Sequence, residues 1–366
     1  MPSVTMNIVH LLVVLVNVVY TLRDQEAMPL IYDEFDGEIA KDDNVHSSQK
    51  TASYLEIQET AAADVDPLNH LKHSDLFLPK MEVVTKELAE AKELQLDQLD
   101  CTGTSPLSGS FKVSRKLTIS EPCNITADRR GATLFLKAPL RFWQSVEFHG
   151  NLSVIALRRQ LKGPCIGVVK DFVVQPGAEL RFAKCRRQRG SGGAMQVDGN
   201  LFIHGDVHIR NCSADIGGAI NVRGAFTQSN GTLTIINSSA KKYGGAINVR
   251  GAFTQSNGTL TIINSSAEYG GAIYVEKTFT QSNGRLMIQS SLAKWDGGAI
   301  NVRGAFTQSN GTLTIINSSA EYGGAIYVEK TFTQSNGRLM IQSSLAKWDG
   351  GAINVRGAFT QSNGTL

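Results

Sequence analysis

The side chains of this chain that could do chemistry lie almost entirely outside its repeats. Cys101, Cys123, Cys165, Cys185 and Cys212 contain no C-x-x-C pair, and the seven histidines do not cluster with them, so no metal centre is expected. Cys185 and Cys212 each follow an apolar residue, Phe182 and Ile209, by three positions. If the chain stacks coil on coil there, about 4.8 Å apart, a Cys185–Cys212 disulfide lies within the Cα range that such a bond allows. A stacked pair of free thiols is equally open. The acids that could hold Ca²⁺ or act as general acids are Asp171, Glu179, Asp198 and Asp206, and their spacing forms no readable constellation. Arg186-Arg187-Gln188-Arg189 could recognise an anionic polysaccharide or an acidic partner. The plainer readings are a solvated turn, or a partner for the chain's own acidic segment. Among the N-x-S/T sequons, Asn124 and Asn151 are the candidate glycosylation sites, because the others recur with the repeat.

These groups need a frame to position them, and the sequence spells one out. Residues 247–299 and 300–352 are the same 53 residues, and a third copy begins at Ile353. A finer repeat runs through and ahead of them: Gly-Gly-Ala recurs starting at Gly192, Gly217, Gly244, Gly270, Gly297, Gly323 and Gly350. The period is therefore 25–27 residues, with two unit types alternating. A repeated unit cannot bury its apolar face alone and must stack on its neighbours. Leucine-rich spacing is absent, and a glycine pair in every unit opposes helical repeats. Ile247 and Val249 alternate with Asn248 and Arg250, and Leu260 and Ile262 with Thr259 and Thr261. That is the period of short strands joined by turns. The expected fold is an all-β parallel β-solenoid with one coil per glycine pair.

Stacking such coils converts equivalent positions into columns. Phe226, Phe253, Phe279, Phe306, Phe332 and Phe359 are expected to stack inside. Asn230, Asn257, Asn283, Asn310, Asn336 and Asn363 fall at a turn. Gln228 and its equivalents form a third column, and the amides are expected to satisfy one another along the stack. An outward column reads Arg223, Arg250, Glu276, Arg303, Glu329, Arg356, with signs alternating from Arg250. Beside it Asn248, Tyr274, Asn301, Tyr327 and Asn354 alternate. The one-residue difference between the two unit types falls in the turn before the glycine pair.

Gly270-Gly271-Ala272-Ile273 and its equivalents resemble the repeats of chlamydial polymorphic outer-membrane proteins and, more broadly, right-handed parallel β-helices. That family pairs the glycine motif with F-x-x-N. Here Ile262 stands in the Phe position and Ser265 in the Asn position, while Phe182 keeps the aromatic and Cys185 replaces the Asn. The resemblance covers roughly residues 180–366 and implies a surface, adhesin-like protein with no catalytic residues. No segment of this sequence matches the family's membrane barrel, so autotransport does not follow. A structural or adhesive β-helix that binds glycans or proteins along its repeated faces is the expected function, without cofactor. The alternative is a carbohydrate-active enzyme, since pectate lyase-like enzymes share the fold. An ice-binding face is not expected, because Arg285 and Met287 interrupt the Thr259 and Thr261 columns in alternate coils.

The remaining chain divides by charge. Residues 1–22 carry no charged side chain, and Ile8–Val19 is nearly all aliphatic, which suits a signal peptide or a signal anchor through residues 7–22. A secreted or cell-surface location follows from either. Residues 23–100 hold 19 Asp/Glu against 7 Lys/Arg, and 23–78 reads as an acidic disordered linker. An amphipathic helix is expected over 79–100, with Val84, Leu88, Ala91 and Leu94 on one face, either as a solvated helix or as a lid across the first coil. Residues 101–213 hold 17 Lys/Arg against 7 Asp/Glu and read as degenerate coils, with the regular ones running from Gly192 to Leu366. Nucleic acid is not an expected partner, because aromatics do not interleave the basic residues. An open strand edge at the last coil would invite self-association.

Overall fold

The computed structural model describes residues 81–95 and 99–366, with side chains from Val84 onward. The signal or anchor segment at 1–22 and the acidic linker at 23–78 lie outside the described residues. The chain from Leu107 forms a parallel β-solenoid. Ten three-residue strands, one per coil, build a parallel sheet from Leu117–Ile119 to Ile353–Val355. Two further parallel ladders close each coil. One carries the Phe226–Ser229 strand and its equivalents, the other the strand that begins at Thr232 and its equivalents. In the first coil a single strand, Cys123–Leu136, runs through both.

The register is the one the repeat implies. Ile247 pairs with Ile273 and Ile273 with Ile300, Phe253 with Phe279, and Leu260 with Leu286. These residues form the core and have no solvent exposure. Burying each such side chain favours folding by about 1.5–3 kcal/mol. The phenylalanine rings stack at 4.6–4.7 Å with interplanar angles of 2–7° from Phe226 to Phe332. Phe359, at the last coil, tilts to 41° and is 44% exposed.

Two glycines in each repeat do different work. Gly244 has φ +60, a left-handed conformation that other residues adopt at a cost. At Gly245 a Cβ would meet the Gly271 carbonyl oxygen of the next coil at 2.0 Å, so only glycine permits that stacking distance. The turn asparagines Asn230, Asn257, Asn283, Asn310, Asn336 and Asn363 all have φ between 50 and 63. They are therefore selected for the left-handed bend. The longer unit absorbs its extra residue in a bulge where the pairing shifts between Ala267 and Tyr269, opposite Asp296.

The glutamine column departs from expectation. Gln228 Nε2 donates to Gly231 O at 2.6 Å, and Gln255, Gln281, Gln308 and Gln334 repeat this bond to the carbonyl three residues on. Each amide thus closes its own Asn-Gly turn. Its Oε1, fully buried, finds no partner among the described residues. Amide bonds between coils form elsewhere, from Asn248 to Asn221 and along Asn264, Asn237 and Asn211.

The helix is also a correction. Among the described residues it spans Met81–Glu90, and Val84, Leu88 and Ala91 pack against Phe135, Ile155 and Ala183 on the outer flank of the first coils. What enters the end of the main core is the segment after it. Lys92–Glu93 pairs with Phe111–Lys112, and Leu94 and Leu99 join the interior cluster. An edge strand there satisfies the exposed backbone ladder, which a helix laid across it would leave unpaired.

Candidate functional site: a basic cleft on the irregular coils

The outward position of the ten-stranded sheet forms a continuous column: Thr118, Arg141, Gly167, Gln196, Asn221, Asn248, Tyr274, Asn301, Tyr327, Asn354. In the regular coils this column is covered. Asn248, Tyr274, Asn301 and Tyr327 are buried although they point away from the core. Tyr243, at the end of the long strand Thr232–Tyr243, lies 4.7 Å from the Tyr274 ring. Burial pushes the Tyr274 hydroxyl pKa up to about 12.

In the irregular coils the strands leading to Arg141, Gly167 and Gln196 stop at Leu136, Ala156 and Ala183 without that extension, and the column lies open. A cleft of about 540 Å³ occupies the space, floored by Arg141, Gly167 and Gln196. Its walls are the turns that lead into the sheet. Arg115 and Lys116 come from the first coil, Lys137 and Arg141 from the second, Arg158 and Lys162 from the third, and Arg187 from the fourth. Seven cations thus face one carboxylate, Asp198. Among the described residues none of Arg115, Lys116, Lys137, Arg141, Arg158 and Lys162 forms a salt bridge. Charges of one sign converging in a walled cleft raise the local potential and attract anions. Pro139, Leu140, Pro164 and Val169 supply apolar wall between them.

Arg187 is the anchored member. It donates to Gln196 Oε1 at 2.7 Å and to the Ser191 carbonyl oxygen, and Gln196 in turn donates to Asp198 Oδ1 at 2.9 Å. Burial lowers the Arg187 pKa, with the Asp215 and Asp198 charges opposing that shift. Arg141 stacks 4.7 Å over the ring of Trp143, which is 46% exposed beside the cleft. Of the arginine run singled out in the sequence, Arg187 alone lines the cleft. The lysines and arginines of the earlier coils escaped notice because they are split among three coils whose turns lie far apart in the sequence. Their only signal was the excess of positive charge over residues 101–213.

The candidate acids are each engaged in holding the coils. Asp171 Oδ1 accepts from Asn200 N at 2.7 Å, and Asp206 Oδ1 accepts from Thr232 N at 2.9 Å. Glu179 contacts Arg181 and lies 3.5 Å from His208 Nε2. Asp198 Oδ1 is 3.3 Å from Arg223 Nε, which places an acid at the head of the alternating outward column. Further along it, Arg250 meets Glu276 at 3.8 Å and Arg303 meets Glu329 at 3.3 Å. Among the described residues no group of three or more His, Cys, Asp or Glu could hold a metal ion. No described helix is long and apolar enough to cross a membrane.

The cysteine pairing differs from the expected one. Cys165 bonds to Cys185 with Cα atoms 5.9 Å apart, Cys101 bonds to Cys123, and Cys212 is a buried free thiol. Ser213 N donates to Cys185 O, so Cys185 and Cys212 do sit in successive coils. Residues stacked in register keep parallel side chains at the coil spacing of about 4.8 Å. A disulfide needs Cβ atoms about 3.8 Å apart. Cys165, in the turn just before the strand Ile166–Val168, reaches Cys185 across the corner instead.

Neither candidate glycosylation site is a free asparagine. Asn151 donates its side-chain amide to Arg129 O at 3.1 Å. The Asn124 side chain lies against Gly103, with Oδ1 buried.

Fold and cleft together define a parallel β-solenoid with a cationic site on its irregular coils. No protein-family model, curated protein or solved structure matches the chain.

Proposed function

We propose that this protein is a secreted or cell-surface, non-catalytic β-solenoid of the adhesin-like kind that chlamydial polymorphic outer-membrane proteins represent. The irregular coils bind an anionic partner in the basic cleft, and the regular coils hold that site out as a rigid stalk. The single observation carrying this reading is the convergence of seven cations from four coils on one cleft. The Gly-Gly-Ala-aliphatic motif supports the kinship, and the engagement of Asp171, Glu179 and Asp206 in structural contacts supports binding without turnover.

One observation favours the lyase-like alternative: a half-buried arginine, Arg187, whose pKa is lowered, stands beside Asp198 inside the cleft. An array of acidic and neutral glycans separates the two. Salt-sensitive retention of acidic glycans, recovered intact, is the expected result. Depolymerisation that disappears in Asp198→Ala would establish the enzyme instead.

A further inference from the structure

Resting on the secreted reading, we infer that the Asn-Gly-Thr turns of the regular coils are N-glycosylation sites. The acceptors are Asn230, Asn257, Asn310 and Asn363, and their glycans stand in a row along one corner of the solenoid. Each of these asparagines is exposed, with φ between 50 and 63. Each opens an N-x-T sequon, the acceptor for glycan in a secreted chain. The turn is built without their side-chain amides. At Asn257 the backbone is tied by bonds from Asn257 N to Ser282 O, Gly258 N to Ser256 O and Thr259 N to Gly231 O. Gln255 closes the same turn from inside, through Gly258 O. Among the described residues none of the four asparagine amides makes a side-chain hydrogen bond, although equivalent asparagines stack coil on coil. Thr259, two residues on, points outward while Leu260 enters the core.

The other sequons are engaged. Asn211, Asn237 and Asn264 bond amide to amide along their own column. Asn151 donates to Arg129 O, and Asn124 lies against Gly103. Asn317, with Ser290 and Ser343 in register, is the exception and lies outside the corner row. The alternation of units spaces that row. Arg285 and Arg338 stand in register with Thr259 and Thr312, so Asn283 and Asn336 open no sequon. From Asn257 onward the acceptors recur every second coil, about 9.6 Å apart, and a bare turn separates each glycan from the next. The corner joins the Phe226–Ser229 and Thr232–Tyr243 ladders rather than bordering the ten-stranded sheet, so the glycans leave the basic cleft clear. The reaction needs no redox partner. Asn Nδ2 attacks C1 of an oligosaccharide carried on a lipid diphosphate and gives up one proton. The bond from C1 to the phosphate oxygen breaks, and the lipid diphosphate leaves with its electron pair.

The test is mass mapping of the protein purified from the cells that make it and from their medium. Peptide N-glycosidase in heavy-oxygen water marks each formerly glycosylated asparagine as labelled aspartate. In the tryptic peptide 224–241 the mark should fall on Asn230 and not on Asn237. Peptides 251–277 and 304–330 are identical and report Asn257 and Asn310 together, at their first asparagine. Thr259→Ala combined with Thr312→Ala should lose both marks and two glycans of mass, while the turn asparagines stay in place and circular dichroism verifies that the coils persist. Arg285→Thr completes a sequon at Asn283 and should add one glycan there. A mark on Asn237 with Asn230 bare overturns the corner, and a bare Asn283 in Arg285→Thr shows that this turn does not admit glycan. A released protein without glycan overturns the proposal and leaves the secreted reading standing. A protein kept inside the cell without glycan overturns both.

Discussion

His208 sits on the outer face of the strand Asp206–Arg210, in register with Arg181 of the preceding coil. Burial and the Arg181 charge hold its pKa down at about 4, against a small opposing effect of Asp206. Glu179 lies close by but is engaged with Arg181, so it does not reverse the shift. The unfolded chain takes up this proton near pH 6.5 while the folded chain does not until about pH 4. Stability should therefore be level above pH 6.5 and fall as the pH drops from there towards 4, by at most about 3 kcal/mol. Urea midpoints measured across that range should slope in the parent and flatten in His208→Gln. The phenylalanine column makes a second claim. Phe279 has no exposure and lies 4.7 Å from both Phe253 and Phe306. Phe279→Ala should cost about 3–5 kcal/mol. The same change at the half-open Phe359 should cost far less, and denaturant titration of the two variants compares them directly.

At the level of the coil, stability resides in what lets one winding lie on the next. A Cβ on Gly298 would fall 2.1 Å from Gly324 O and 2.6 Å from Ser319 N, both backbone atoms of the following coil. Backbone cannot give way as a side chain can, so Gly298→Ala should separate the two coils locally. Hydrogen exchange should show protection lost around Ile300 and Ile326 while the irregular coils stay protected, because each repeat contacts only its neighbours. Asn310, at φ +52, is the contrasting turn position. Asn310→Gly should change stability by only a few tenths of a kcal/mol, since glycine adopts that conformation freely. If both variants behave alike, close approach is not what fixes the second glycine of each pair.

Across the whole molecule the chain divides into a regular part that covers its outward column and an irregular part that leaves the same column open. Long strands such as Thr232–Tyr243 provide the cover, and the turns of the early coils carry cations instead. Both disulfides lie in the irregular part, where coil lengths vary and identical side chains cannot stack. Peptide mapping under non-reducing conditions should recover Cys101 linked to Cys123 and Cys165 linked to Cys185. Cys212, its pKa pushed up to about 12 by burial, should resist alkylation in the folded protein and react once it is unfolded. A Cys185–Cys212 peptide would contradict this arrangement.

The sequence by itself determined the coil, its period, the phenylalanine stack, the glycine and asparagine turns and the alternating Arg–Glu column. Each of these is a relation between a residue and its own copy one unit later, and exact repetition makes such relations visible along the chain. It could not determine relations between different columns. Cys165 finds Cys185 across a corner, Gln228 turns to its own Gly231 rather than to Gln255, and the helix packs on the flank instead of the end. The cleft belongs to this second kind. Arg115, Lys137, Arg158 and Arg187 occupy unrelated stretches of sequence, and only the winding of the chain brings their charges to one side of a shared floor.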